Sequence, residues 1–228
     1  MESGKVEYKI HQINTHNAKF SNYCYLIEDL NNKKAVLIDP AWEQERFESL
    51  IEKDHVHLEA VLLTHSHIDH INLADYFSEK YQVNVYISRK EADTYGFSCP
   101  NLNYLNHGDE LNIWDLTIKC FLIPGHTQGS MCFQLGNNLF VGDTIFYEGC
   151  GKCNYSNRSI KEMYESIQFI KCNFSDDTYV FSGHVYYMST GQQLEQIKRN
   201  NYSFFLDESK FVEYQRNMLL RVQEEVQK

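Results

Sequence analysis

"LLTHSHIDHINL" (residues 62–73) decides how this chain is read, because three histidines and an aspartate fall within six positions directly after an apolar run. His65 and His67 are two apart, so both point the same way at the frayed end of a strand. Asp69 and His70 then occupy the turn leading into a helix. A helix start ordinarily uses one Asp or Thr as its cap, which would account for Asp69 alone. Three histidines beside it have no such use. Imidazole is the commonest metal ligand among side chains, so the cluster points to zinc-type ligation at an element boundary.

Three further residues share that context. His126 in "IPGHTQGS", Asp143 in "FVGDTIF" and His184 in "VFSGHVYY" each follow an apolar run and a Gly or Pro-Gly. Ligands delivered from strand ends by tight glycine turns sit on a rigid scaffold, as metal catalysis requires. His107, in "TYGFSCPNLNYLNHGDE" (94–110), is expected to be a surface turn residue within a loop that shapes the pocket.

The surrounding pattern is α/β. "VEYKIHQI", "NYCYLIED" and "KKAVLIDP" are strands separated by Asn-rich turns, "INTHNAKFSN" and "LNNKK". "WEQERFESLIEK" places Phe47, Leu50 and Ile51 on one helical face, "LEAVLLT" is a buried strand, and "INLADYFSEKY" is helical again. The strand "VNVYIS" follows. A second β run comprises "LTIKCFLIPG", "MCFQLG" and "NLFVGDTIF", with "GNN" as a hairpin turn. In "SIKEMYESIQFIKC", Ser159 and Glu162 have capping-box spacing, and Ile160, Met163, Tyr164, Ile167 and Ile170 form the apolar stripe. "TYVFSGH" is a last strand. Thr190 with Gln193 repeats the N-cap pattern, and the closing helix is amphipathic through Phe211, Tyr214, Met218 and Val222. This order predicts two sheets with helices outside, an αββα sandwich, in one domain over residues 1–228 with C-terminal helices from about 190.

The 228 residues carry 31 acidic against 21 basic side chains, a net charge of -10, which argues against general nucleic-acid or anionic-membrane binding. The N-terminus lacks a basic start with an apolar stretch behind it, and a cytoplasmic location is expected. Seven cysteines, an odd number, suit reduced thiols. Cys150 and Cys153 have C-x-x-C spacing, but no second pair follows and the flanks read as loop; buried small hydrophobes are the plainer expectation.

The motifs "THSHIDH", "PGHTQGS", "VGDTIFYEGCGK" and "SGHVYY" resemble those of the metallo-β-lactamase superfamily, and within it the glyoxalase II-like hydrolases, over nearly the whole chain. The resemblance implies a four-layer αββα fold of that type. It also implies that His65, His67 and His126 bind one metal, that Asp69, His70 and His184 bind a second, and that Asp143 bridges them. Zinc is the expected metal, two ions per chain, with iron or manganese as alternatives. Five neutral imidazoles and two carboxylates leave two Zn²⁺ ions with net positive charge, able to hold a bridging hydroxide near neutral pH, with Asp69 helping to orient it. No additional general acid is evident, which suits a thioester, whose thiolate leaves without protonation, better than an amide.

Two departures from the family pattern matter. "INLADYF" replaces the usual double glycine after the histidine cluster, so Asn72 is expected to supply a left-handed or turn conformation. Only 44 residues follow His184, whereas glyoxalase II carries a longer helical tail that helps hold glutathione. Lys152 and Tyr186 match positions that contact glutathione in that enzyme, but Cys153 and Asn154 stand where aromatic residues are common. With "NYCYLIED" and "GHVYY", the chain is similar to the zinc hydrolases encoded beside trans-acyltransferase polyketide synthases. That resemblance implies a small acyl thioester or an acyl carrier protein as partner, with Lys152, Arg158, Lys161, Lys198 and Arg199 as a candidate basic docking face. A glutathione thioesterase, a lactonase, an iron persulfide dioxygenase and a non-catalytic binding relative are the competing readings. The missing leader and His70 weigh against a secreted β-lactamase.

Overall fold

The computed structural model describes residues 7–153 and 158–226, with side chains to 218; Asn154 and the side chain of Val222 lie outside that range. The first sheet runs β1 (Tyr8–His16), β2 (Ser21–Asp29), β3 (Lys34–Ile38), β4 (His57–Leu62), β5 (Asn84–Ser88) and β6 (Leu102–Leu105), in that spatial order. The second is ordered β12 (Gln192–Gln193), β11 (Tyr179–Ser182), β10 (Asn138–Gly142), β9 (Met131–Leu135), β8 (Leu116–Leu122) and β7 (Glu110–Ile113). Helices α1 (Gln44–Lys53), α2 (Ile68–Ile71), α3 (Ala74–Tyr81) and α4 (Arg89–Tyr95) accompany the first sheet. Helices α5 (Ile160–Asn173), α6 (Leu194–Asn200) and α7 (Glu208–Val226) accompany the second.

Strand alternation builds the layers. Along β2, Cys24 and Leu26 face outward onto Phe47 and Ile51 of α1 and Phe77 of α3, whereas Tyr25 and Ile27 face inward. Along β10, Phe140 joins Tyr25 and Ile27 between the sheets, while Leu139 and Val141 face outward onto Met163, Ile167 and Ile170 of α5. Central strands are therefore apolar on both faces, which is why they read as continuous hydrophobic runs. The result is a four-layer αββα sandwich. Because β3 pairs parallel with β4, and β10 with β11, their C-terminal ends reach one edge of the sandwich.

Several local expectations are corrected. β1 continues through His16, so the turn shrinks to residues 17–20, where Asn17 Oδ1 accepts from the N–H groups of Lys19 and Phe20. Residues 102–105, expected as loop, pair parallel with β5 as an edge strand, and 89–95 form α4, capped by Ser88 Oγ accepting from Glu91 N–H. Ser159 does cap α5, accepting from Glu162 N–H. Thr190 does not cap α6, whose N-cap is Gln193 with no side-chain bond; the Thr190 hydroxyl instead accepts from Ser182 N–H and meets Tyr25 Oη. Asn72 is right-handed (φ -67°), and its Oδ1 accepts from Trp42 N–H. In α7 the buried face is Phe211 and Gln215; Tyr214 and Met218 are exposed.

Candidate metal centre

All seven sequence candidates meet at the strand-end edge. Three overlapping groups, His65/His67/His126, His65/His70/Asp143 and Asp69/His70/His184, each hold their ligand atoms within 4.8 Å of one another. The first and third are the two sets named from the sequence. Asp143 sits between them: its carboxylate lies 3.5 Å from His126 Nε2, 3.5 Å from His70 Nε2 and 3.3 Å from His184 Nε2. His107 stands apart, its Nδ1 accepting from Leu122 N–H.

Outer hydrogen bonds set the imidazole tautomers. Thr64 Oγ1 donates its only proton to Asp39 Oδ2 (2.6 Å), so at 3.1 Å it accepts from His65 Nδ1–H. His70 Nδ1–H donates to Asp39 Oδ2 (2.9 Å), His126 Nδ1–H to the Lys152 carbonyl (3.0 Å) and His184 Nδ1–H to the Ser21 carbonyl (2.8 Å). Each of these four therefore presents an Nε2 lone pair to the cluster, the arrangement that metal-ligating histidines use. His67 is reversed, with Nδ1 inward, 2.9 Å from His126 Nε2, and Nε2 facing the Arg158 guanidinium at 3.1 Å.

The donor set fits a cation. His65 Nε2, His70 Nε2 and Asp143 Oδ1 are buried and have no hydrogen-bond partner, a state costing about 1–3 kcal/mol for each group if nothing compensates it. Burial, with Arg158 beside it, holds His67 down to about 4, and burial takes His126 down to about 3, so both stay neutral ligands. Burial opposes the charge on Asp143, but His184 and His70 outweigh it and keep the carboxyl well below its usual range.

A cleft of about 590 Å³ opens over these residues. Lys152 and Tyr186 both line it, together with Lys19, Phe20, Phe146 and Arg158. Tyr186 is 65% exposed and packs edge-to-face on Phe146 at 5.4 Å. Lys161, Lys198 and Arg199 lie outside the lining and are paired with Glu165, Asp176 and Glu195.

Residues 18–119 match the family model described as metallo-beta-lactamase superfamily. A protein named probable polyketide biosynthesis zinc-dependent hydrolase PksB, from Bacillus subtilis (strain 168), is 39% identical over 204 residues, covering 90% of this chain and 91% of its own. The chain belongs to the metallo-β-lactamase superfamily. It is also similar to a hydroxyacylglutathione hydrolase of Pelagibacter ubique (strain HTCC1062), 36% identical over 170 residues, 72% of this chain and 67% of that one. The crystal structure of ETHE1 from Myxococcus xanthus superposes with a TM-score of 0.82 at 30% identity, covering 92% of this chain and 91% of that chain. This member of the superfamily is a hydrolase.

Sequence reading missed the residues that hold the cluster in place. Asp39, at the end of β3 with φ 51°, receives Thr64 N–H, Thr64 Oγ1–H and His70 Nδ1–H. Fully buried Glu91 accepts from Ser66 N–H and Oγ–H and from Gly129 N–H, fastening the loop of His65 to the loop of His126. The signal for Asp39 was "LIDP", a carboxylate at a strand end before proline; Glu91, inside α4, had none. Gly183 and Gly151 are glycines for space. A Cβ on Gly183 would sit 2.5 Å from Asp143 Oδ1, and one on Gly151 would sit 2.8 Å from His126 Nδ1.

The thiol pair divides. Cys153 is a buried core residue, as expected, whereas Cys150 lines the cleft and accepts from Gln215 Nε2 of α7 at 3.2 Å. The Cys153 thiol beside it, helped by further hydrogen bonds, brings the Cys150 thiol below its ordinary value.

Proposed function

We propose that this protein is a dinuclear zinc hydrolase of acyl thioesters whose thiol is a phosphopantetheine arm, carried on an acyl carrier protein or a small mimic, in polyketide biosynthesis. The observation that carries the reading is the joining of the seven-residue cluster to a cleft bearing three cations, Lys19, Lys152 and Arg158, on a chain of net charge -10. A local positive mouth on an acidic protein selects an anionic substrate. The name borne by the 39%-identical relative supports the pathway.

His65, His67 and His126 would hold one zinc and Asp69, His70 and His184 the other, with Asp143 between them. Bound zinc supplies Lewis acidity, polarising a carbonyl and making water acidic enough to attack near neutral pH. The chain's own residues do the rest. Asp39, Thr64 and the carbonyls of Ser21 and Lys152 fix which imidazole nitrogens carry protons. Phe20, Phe146 and Tyr186 exclude water along the arm, and Lys19 and Lys152 bind its phosphate. A thiolate leaves without protonation, so no additional acid is required. Docking of a carrier protein narrows to Lys19, Lys152 and Arg158, because these line the cleft, whereas the other three cations of the sequence-derived face lie outside it on carboxylate partners.

The test is hydrolysis of acyl-glutathione, acyl-N-acetylcysteamine and acyl-carrier-protein thioesters, beside a lactone and a β-lactam, by protein of counted metal content. Preference for the carrier and N-acetylcysteamine forms is expected. Preference for glutathione would transfer the reading to a glyoxalase II-type enzyme, and lactone turnover alone would end the thioester reading.

A further inference from the structure

A second cleft, of about 470 Å³, is lined in part by His67 and not by Lys152. It shares His67 and Ile68 with the cleft over the metal centre, so the two meet at the cluster. Its other walls come from α2, α3 and the stretch that ends α4: Ile71, Asn72, Asp75, Tyr95, Phe97 and Ser98. That stretch is held in place. Gly96 closes α4 in the left-handed conformation, Phe97 N–H donates to the Ala92 carbonyl, and Tyr95 Oη accepts from Gln128 N–H.

The two clefts differ in charge. Lys19, Lys152 and Arg158 line the first beside the cluster carboxylates of Asp69 and Asp143, whereas among the described residues the only ionic side chain lining the second, apart from His67, is Asp75. A thioester carbon carries two diverging substituents, the sulfur with its arm and the acyl chain. When that carbon sits at the cluster, one substituent enters each cleft. An anionic arm is drawn to the cations and repelled from Asp75, which leaves the second cleft for the acyl chain.

We infer that the acyl group of the substrate occupies this second cleft, against Ile68, Ile71 and Phe97, and that it bears hydroxyl or amino groups that meet Asp75 and Ser98. This rests on the thioester reading above. Ile68 is 56% exposed at the junction, an apolar side chain placed where both substituents diverge. The cleft volume falls within the roughly 300–1,000 Å³ range of small-molecule sites, so it admits a long chain. Ile68, Phe97 and Ser98 are thus specificity-determining residues for the acyl group, and Lys152 for the thiol.

The experiment uses metal-loaded enzyme and a matrix of substrates, acetyl and 3-hydroxydecanoyl, each as the N-acetylcysteamine and the glutathione thioester. Exposed Ser98 is replaced by Trp to fill the cleft, and Phe97→Ala enlarges it. For Ser98→Trp, kcat/KM for 3-hydroxydecanoyl thioesters is expected to fall about tenfold or more, with acetyl thioesters changed by less than about twofold and the same ratio for both thiols. Phe97→Ala should change the long-to-short preference while leaving the thiol preference alone. Equal losses for acetyl and 3-hydroxydecanoyl, or a changed thiol preference, would overturn the inference. Calorimetric titration with 3-hydroxydecanoate gives a readout independent of turnover: its affinity should fall in Ser98→Trp and hold in Lys152→Ala. If the wild type turns over no thioester, the proposed function fails, and the acid titration still decides what the cleft binds.

Discussion

Asp39→Asn is the substitution that most directly tests how the cluster is organised. The side chain is buried and isosteric with its replacement, so packing is preserved and only hydrogen-bond polarity changes. Asp39 Oδ1 accepts from Thr64 N–H at 2.7 Å, and Oδ2 accepts from Thr64 Oγ1–H at 2.6 Å and His70 Nδ1–H at 2.9 Å. An asparagine that keeps its oxygen toward Thr64 N–H turns an NH₂ donor toward two groups that are donors themselves. His70 then relieves the clash by moving its proton to Nε2, the atom that faces Asp143 at 3.5 Å and Asp69 at 4.0 Å and makes no hydrogen bond. That removes the lone pair His70 would offer a metal. Outer partners of this kind typically carry roughly 10- to 100-fold in metal affinity, or about 1.4–2.7 kcal/mol. Zinc affinity is measured by competition with a chromophoric chelator, with circular dichroism confirming the fold. The expected result is a loss of zinc affinity by at least that factor, because Thr64, which links Asp39 to His65, loses its acceptor as well. Unchanged zinc affinity in a folded Asp39→Asn protein would refute the argument that Asp39 sets the His70 tautomer.

Three further outcomes are expected. Gly183→Ala brings a Cβ to within 2.5 Å of Asp143 Oδ1 and 2.6 Å of His70 Cε1, so it should lower zinc occupancy and cost about 1–3 kcal/mol in urea unfolding; wild-type values for both would contradict this crowding. Glu91→Ala leaves the N–H groups of Ser66 and Gly129 without their buried acceptor, and should destabilise the fold by about 2 kcal/mol or more while reducing metal affinity, read by the same two assays. In chelator-treated protein, His67 titrates near 4 and His126 near 3, while unfolded histidine titrates near its ordinary 6.5. The unfolded chain binds more protons between pH 6.5 and 4, so stability should fall as pH falls through that window, by about 3 kcal/mol from His67 alone. His184, raised to about 11 because Asp143 outweighs its burial, has the opposite sign and acts only above pH 6.5. A urea midpoint constant from pH 7 to 4.5 would refute this assignment.

The sequence by itself determined the layers and the ligand candidates, and for a local reason. Continuous apolar runs such as "YCYLI" and "AVLL" must be buried, and burial on both faces stacks two sheets between helices. The histidine density in "THSHIDH" and the repeated strand-end context of His126, Asp143 and His184 are likewise visible without coordinates. Non-local contacts were not. Thr190 has the spacing of a helix cap, yet its hydroxyl meets Tyr25, 165 positions away, because β2 and β11 approach across the core. Glu91 looks like any helix glutamate until folding buries it between the loops of Ser66 and Gly129. Which imidazole nitrogen faces inward, which cations line the cleft, and whether two clefts meet at His67 depend on relative placements of distant strand ends. Burial can be read from pattern, because it is a property of each segment. Hydrogen-bond partnership and cleft shape belong to pairs of segments, and only the tertiary structure decides them.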